Sequence, residues 1–511
     1  MEKFILALDQ GTTGTTVCLL DKTAQMVTSV SQDHPQIYPQ PGWVEHNPEV
    51  IWDNVVTLIK KVLSEGRVRG EQIAAIGITN QRETVVLWDR KSSKAVHNAI
   101  VWQCRRTTDF CNRLKKTHAA QIRRKTGLVV DPYFSASKIR WLLEHVEGAK
   151  GRARAGELKV GTIDSFLLWR LTSGTAHKTD VCNASRTQLM NIQTGEWDPE
   201  LLRLFDIPVS ILPEISASSG VFGVTKGVPG LPDGIPVAGM AGDQQAALFG
   251  QTCFEPGSAK CTFGTGSFLL MNTGEKRVAS KSGLLTTVAW RLKDDRKMTY
   301  ALEGGAFVCG AAVQWLRDQV QFFNSSAEVE ALARQVPSTE GVYLVPAFVG
   351  LGAPYWDPDA RAAVLGMTRG TTRAHLARAT LEAMALQNVD ILQAMEKDLG
   401  RRLASVRVDG GAVENDLLMQ MQADFIGGPV ERPRQIESTV LGAAFLAGLG
   451  VGYWGNLSEI RKVWGVERSF KPELSPAGRR RKLEEWHAAV ERVLTQPKKS
   501  QKRVKRGGKR K

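Results

Sequence analysis

The chain contains no Cys-x-x-Cys pair: its seven cysteines, at 18, 104, 111, 182, 253, 261 and 309, are scattered through apolar runs. An odd, dispersed set of this kind excludes the usual zinc and disulfide frameworks and reads as reduced core thiols in a reducing compartment. No secretory leader is evident either, because the apolar run after Glu2-Lys3 is cut by Asp9, and a cytoplasmic protein is expected. Long hydrophobic runs are scarce. The uncharged stretch from Ser438 to Ser458 carries Gly442, Gly448, Gly450, Gly452 and Gly455, which suits a tightly packed buried helix and loop and argues against a membrane span. Acid is absent between Lys498 and Lys511, where nine Lys/Arg account for most of the formal charge of +15 and leave +6 for the remainder. Residues 496–511 therefore read as a disordered basic tail, solvated rather than built to bind nucleic acid.

What is present is an ordinary globular composition, 42% hydrophobic and 23% charged over 511 residues, long enough for two to four domains. The organising stretch is the first one. Apolar runs Phe4 to Leu8 and Val17 to Leu20 bracket a turn with Gly11, Gly14 and four threonines, which predicts a β-hairpin with a polar tip. The glycines let backbone N–H groups converge and the threonine hydroxyls add donors, so the tip can hold phosphate oxygens. Asp9 would face the same point. A carboxylate beside phosphates is repulsive unless a cation intervenes, which makes Asp9 a candidate Mg²⁺ partner. About 250 residues on, Ala259 to Leu270 repeats the pattern of strand, Gly/Thr tip (Gly264-Thr265-Gly266) and strand. Two such hairpins suggest two related domains facing one another across a nucleotide.

Other clusters lie at the ends of expected strands. Strand Ile73 to Ile78 runs into Thr79-Asn80-Gln81-Arg82-Glu83-Thr84. Within a regular strand Arg82 and Glu83 would point to opposite faces, but at a strand end both can reach one small ligand. Ser135 looks like the N-cap of an amphipathic helix that follows Tyr133. The stretch Ile235 to Gly250 reads as a buried strand, a Gly242-Asp243 turn and a helix rich in small residues. Asp243 then stands where ligands of α/β proteins collect, although an N-cap aspartate fits the same pattern. Further along come Glu303-Gly304-Gly305, a helix opening at Gly310, a long helix from Thr372 stopped by Gly400, and strand Val406 to Asp409 entering Gly410-Gly411. A bare Gly-Gly can press flat against an adenine or ribose.

Nine motifs, in this order, resemble the FGGY carbohydrate kinases: Asp9 to Thr13, Asn80 to Thr84, Trp102 to Arg106, Tyr133 to Lys138, Gly242 to Gln245, Gly264 to Gly266, Gly310 to Leu316, Ala353 to Asp357 and Asp409 to Val413. The resemblance spans roughly residues 3 to 490. It implies an α/β fold of two actin-like, ribonuclease-H-like mixed-sheet domains around a nucleotide cleft, residues 1–252 for polyol and phosphates and 253–495 for the nucleotide. It implies transfer of phosphate from ATP to glycerol, giving sn-glycerol 3-phosphate in glycerol catabolism, with another polyol or a sugar such as xylulose as the alternative substrate.

Carried onto this chain, the resemblance makes Asp243 the general base. Arg82, Glu83, Tyr133, Asp243 and Gln244 hold the polyol, with Trp102 and Phe268 as apolar walls. Thr12, Thr13, Gly14, Thr265, Gly310, Gln314, Gly411 and Asn415 contact the nucleotide. Thr16 is grouped with them, standing where many family members have an arginine. Asp9 and Asp243 are the Mg²⁺ candidates, and a homo-oligomer is expected. The segment Lys226 to Gly234 lacks the arginine of a fructose 1,6-bisphosphate loop, so feedback by that sugar phosphate is not expected.

Overall fold

The computed structural model describes residues 2–495; the basic segment 496–511, and the disorder expected of it, lie outside the described residues. The first six-stranded sheet is built from β1 (Phe4–Gln10), β2 (Gly14–Leu20), β3 (Met26–Asp33), β4 (Ile73–Asn80), β5 (Ser219–Val224) and β6 (Pro236–Gly242), in the order β5-β6-β4-β1-β2-β3. The first three strands are antiparallel, and β4 and β6 then add in parallel to β1. Parallel strands buried on both faces need near-continuous apolar runs, and the run from Phe4 to Leu8 meets that need: Ile5, Leu6, Ala7 and Leu8 are wholly buried.

The second sheet repeats this wiring. Its strands are β7 (Ala259–Phe263), β8 (Ser267–Gly274), β9 (Leu285–Trp290), β10 (Thr299–Ala306), β11 (Val406–Asp409), β12 (Val430–Pro433) and β13 (Val466–Phe470), ordered β9-β10-β8-β7-β11-β12-β13. As β4 is parallel to β1, so β11 is parallel to β7. The hairpin tips and the carboxyl ends of β4 and β11 therefore occupy matching places in the two sheets, which is where each sheet can meet a ligand. We propose the stretches on either side of residue 252 as the two domains.

The halves are not separate in space. Helix α1 (Asp243–Gly250) follows β6, and helix α5 (Ser438–Gly450), from the far end of the chain, packs across it and onto the first sheet. A Cβ on Gly442 would lie 1.8 Å from the Ala246 carbonyl oxygen, and one on Gly250 would lie 2.0 Å from that of Ser438, so only glycine allows this backbone approach. The uncharged stretch after Ser438 is thus a helix buried in protein. No helix of the described residues is long and apolar enough to cross a membrane. The long helix α3 (Arg373–Leu399) ends at Gly400, whose φ of 79° is the left-handed stop that the glycine signals.

Candidate active site

The first hairpin tip is a tied turn. Gly11 N–H donates to the Gly14 carbonyl at 2.9 Å, the Thr12 carbonyl accepts from Gln36 Nε2 at 2.9 Å, and the Thr13 carbonyl accepts from His34 N–H at 3.0 Å. These bonds occupy the carbonyls of the tip, while the Thr13 side chain is exposed. Thr12 and Gly14 are half-buried. A Cβ at Gly14 would come within 2.8 Å of Asp33 Oδ1 and 2.9 Å of the Gln32 carbonyl oxygen, so the glycine is also needed by the neighbouring strand. Thr16 lies on β2 opposite Asp9, and its hydroxyl shares a 2.8 Å hydrogen bond with Ser31.

The second tip uses its carbonyls differently. Gly264 and Thr265 accept the first N–H groups of helix α2 (Gly310–Asp318): Gly310 donates to Gly264 at 2.9 Å, and Ala311 donates to Thr265 at 3.1 Å. Gly310 therefore offers room more than an N–H, since a Cβ there would meet the Gly264 carbonyl oxygen at 2.7 Å. The Thr265 and Gln314 side chains are exposed beside it. At the end of β11 the two glycines divide their tasks. Gly410, at φ 89°, is pressed against the Phe263 backbone, with 2.5 Å to its carbonyl oxygen from a built Cβ, whereas Gly411 is exposed with nothing within 4 Å. Gly411 is the open face. Asn415 caps helix α4 (Asp416–Ile426), its Oδ1 accepting from Leu418 N–H at 2.8 Å.

Arg82 and Glu83 follow β4 in a tight turn where Thr84 N–H donates to the Arg82 carbonyl at 2.8 Å. Glu83 has φ 61°, a left-handed conformation that costs a non-glycine residue about 1–3 kcal/mol, and the side chains of both Arg82 and Glu83 are turned away from solvent. They are 3% and 1% exposed. The Arg82 guanidinium is fully engaged: Nη1 and Nη2 grip both oxygens of Glu303 at 2.8 and 2.9 Å, Nη1 reaches Gln245 at 3.2 Å, Nη2 reaches the Tyr133 hydroxyl at 3.3 Å, and Nε stands 3.1 Å from Asp243 Oδ1. Glu83 accepts from Arg186 Nε at 2.6 Å, and Arg186 Nη2 also reaches Glu303 at 3.1 Å. The two glutamates differ in consequence. Burial works against the Glu303 carboxylate, yet two arginines hold it down at about 2, whereas burial outweighs the same cations at Glu83 and pushes its carboxyl up.

Asp243 is not an N-cap. It is the first residue of α1 after the cap residue Gly242, and its Oδ1 accepts from Gln244 N–H at 2.7 Å. The side chain is 31% exposed, beside Arg82. Burial raises its pKa and Arg82 opposes the rise. Asp9 is pushed up to about 8, first by burial and then by Asp243 and Glu437. Two hard carboxylate oxygens that repel one another in one region fit Mg²⁺, which would relieve the repulsion.

Trp102 and Tyr133 form an aromatic pair beside the polar cluster. The rings of Trp102 and Tyr133 meet edge to face at 5.5 Å, and Trp102 Nε1–H donates to Thr12 Oγ1 at 2.9 Å. Phe268 lies over Gly305, 3.2 Å from where a Cβ would stand. Tyr133 sits in a loop held by the buried Lys138, whose Nζ donates to the carbonyls of Pro132, Tyr133 and Phe134 at 2.9, 2.6 and 2.9 Å. The expected role of Ser135 is corrected here. The helix Ser135–His145 is capped at Phe134 without a side-chain bond, and the Ser135 hydroxyl instead donates to the Glu83 carbonyl at 3.1 Å.

Glu303, Arg186, Lys260 and Gln36 escaped the sequence reading. Glu303 and Lys260 did leave a signal, as lone charges in otherwise apolar strands, because a buried charge must be paired. Arg186 and Gln36 left none.

The N-terminal domain of the FGGY family of carbohydrate kinases matches residues 4–250, and the C-terminal domain of the same family matches residues 259–451. A glycerol kinase of Bdellovibrio bacteriovorus is 60% identical over 494 residues, which is 96% of this chain and 100% of the relative. The crystal structure of Plasmodium falciparum glycerol kinase with ADP superposes with a TM-score of 0.91 at 39% identity, covering 97% of this chain and 99% of that one. A ligand-bound xylulose kinase from Lactobacillus acidophilus shares the fold, with a TM-score of 0.86 at 24% identity over 96% of this chain and 97% of its own.

Proposed function

The chain belongs to the FGGY family of carbohydrate kinases, and from that premise we propose that it transfers the γ-phosphoryl group of ATP to a terminal hydroxyl of glycerol, giving sn-glycerol 3-phosphate. The observation that supports the choice of polyol is the cluster of Arg82, Glu83, Tyr133 and Asp243 with Trp102 edge-on to Tyr133, to which we add Phe268 as a second apolar wall. A three-carbon polyol offers little area, so its hydroxyls must supply the recognition. Arg82 donates, Glu83 and Asp243 accept, and Tyr133 does either. A site built to bond hydroxyls rejects an analogue that lacks one by factors of about 10⁴.

Phosphoryl transfer asks for positioning and charge neutralisation more than covalent chemistry. Asp243, half-exposed at the start of α1, takes the proton of the terminal hydroxyl while that oxygen attacks the γ-phosphorus in line; the bond from phosphorus to the ADP oxygen breaks and ADP leaves. Thr12, Thr13 and Gly14 hold phosphate from one hairpin and Thr265 from the other, with Gln314, Gly411 and Asn415 toward the nucleoside. Asp9 and Asp243 would hold Mg²⁺, which supplies neutralising charge to the phosphates. Initial rates with ATP and a panel of polyols and ketoses test the reading. Glycerol should give the highest kcat/KM by at least a hundredfold over xylulose; a higher kcat/KM for xylulose would overturn it.

A further inference from the structure

Arg82 has five N–H donors, and Glu303 takes the end-on pair. That fork fixes the plane of the guanidinium. The remaining donors face Gln245, Tyr133 and Asp243. Tyr133 and Asp243 are the half-exposed members of this set, so theirs are the contacts a substrate hydroxyl can join or replace, whereas Glu303, 3% exposed, is out of reach. Glu83 is fixed in the same way from behind, by Arg186 Nε at 2.6 Å. Arg82 and Glu83 themselves stand 3.9 Å apart, too far for either to orient the other strongly. The charges alternate as Glu83, Arg186, Glu303, Arg82 and Asp243, every member but the last almost wholly buried.

The chain of charges also crosses the fold. Arg82, Glu83 and Arg186 come from the first half, and Glu303 comes from β10 of the second sheet. That edge of the second sheet is fastened to the first half at several points: Tyr300 donates its hydroxyl to the Ile192 carbonyl at 2.7 Å, Ser185 and Thr287 share a 3.0 Å hydroxyl bond, and Thr286 N–H donates to the Gly127 carbonyl at 3.1 Å. Glu303 is therefore held at a fixed place against Arg82.

We propose that Glu303, together with Arg186, is a positioning pair that sets Arg82 and Glu83 in the geometry that reads the polyol, so that the polyol clamp is completed only by a residue of the second sheet. The proposal rests on the polyol-kinase reading above. Neither residue touches substrate; each acts through the residue it holds. Without the Glu303 charge two arginines face each other with one fewer anion between them, and the Arg82 guanidinium, already 3.1 Å from Asp243 through Nε, loses the fork that fixes its plane, which loosens the polyol contacts and tightens its hold on the base.

Glu303→Gln tests this, because it keeps the shape and removes the charge. The glycerol KM should rise at least tenfold while the ATP KM stays within about twofold. Thermal shift gives an independent readout: at a given glycerol concentration the rise in Tm should be smaller in the variant than in wild type, whereas ADP should still raise it by the wild-type increment. Arg186→Lys keeps the charge but loses the forked contact, and should show the same split with a rise of about threefold or more in glycerol KM. An unchanged glycerol KM in Glu303→Gln, an equal loss of the glycerol and ADP responses, or loss of folded protein in both variants would overturn the proposal and leave Glu303 a purely structural residue. If wild-type protein itself shows neither turnover of glycerol nor stabilisation by it, the polyol-kinase reading fails instead.

Discussion

Lys260 and Gln244 meet between the two halves of the chain: the buried Lys260 ammonium, on β7, donates to Gln244 Oε1 on the residue next to Asp243, and also to Thr262 Oγ1 at 2.6 Å. Lys260 takes one lone pair of the Gln244 oxygen, which biases the proposed polyol contact of Gln244 toward its NH₂ donors. Burial lowers the lysine pKa, and Asp409 and Asp243 counter that shift. Lys260→Met leaves an amide oxygen and a hydroxyl unsatisfied, at a cost of about 1–3 kcal/mol each. The expected outcome is a lower Tm and a fall of at least tenfold in kcat/KM for glycerol. A lower Tm with unchanged kcat/KM would make the contact one of packing alone.

In the proposed site Trp102 would link the polyol wall to the phosphate tip through its bond to Thr12 Oγ1. Trp102→Phe keeps most of the wall and removes the donor. A hydrogen bond of this kind contributes about 0.5–1.5 kcal/mol, so KM for ATP should rise by about two- to tenfold, in parallel with KM for glycerol. A rise confined to glycerol would show that the tip holds its shape without the indole.

Burial, followed by the charge of Lys159, lowers the His177 pKa from 6.5 to about 3, in a nest formed by Trp88 and Trp169. Between those values the unfolded chain binds the proton and the folded chain does not, so this group contributes stability above pH 6.5 that is lost as pH falls. Asp9, raised to about 8, and Asp164, raised to about 6, slope the other way, so the total pH profile mixes opposed contributions. The difference between wild type and His177→Gln isolates the histidine. Relative to wild type, the variant should gain about 2 kcal/mol of unfolding free energy between pH 7 and pH 5 in denaturant titrations. A difference independent of pH would mean that His177 has the same pKa in the folded and the unfolded chain.

The legible parts of this site are the local ones. Both hairpins could be read because a glycine and threonine tip between apolar runs has few other uses, and the Gly400 stop follows from backbone geometry alone. Arg82-Glu83 could be read as a cluster at a strand end. The φ of 61° at Glu83 could not, because nothing in the local pattern calls for a left-handed glutamate. Arg186 lies 103 residues from Glu83, and Glu303 lies 221 from Arg82. A lone charge in a buried strand announces that it has a partner without saying which. Ser135 shows the opposite failure: its local pattern satisfies a capping rule, yet its hydroxyl is drawn to a carbonyl 52 residues away.

The central claim is that Asp243 is the base, and Asp243→Asn tests it most directly. The asparagine keeps an oxygen for the Gln244 N–H, so the fold should be retained and glycerol KM should change by less than about threefold, while general-base catalysis worth ~10²–10⁴ is lost. Under saturating glycerol and ATP, kcat of the variant should fall at least a hundredfold. A variant that keeps more than about a tenth of wild-type kcat would contradict the account.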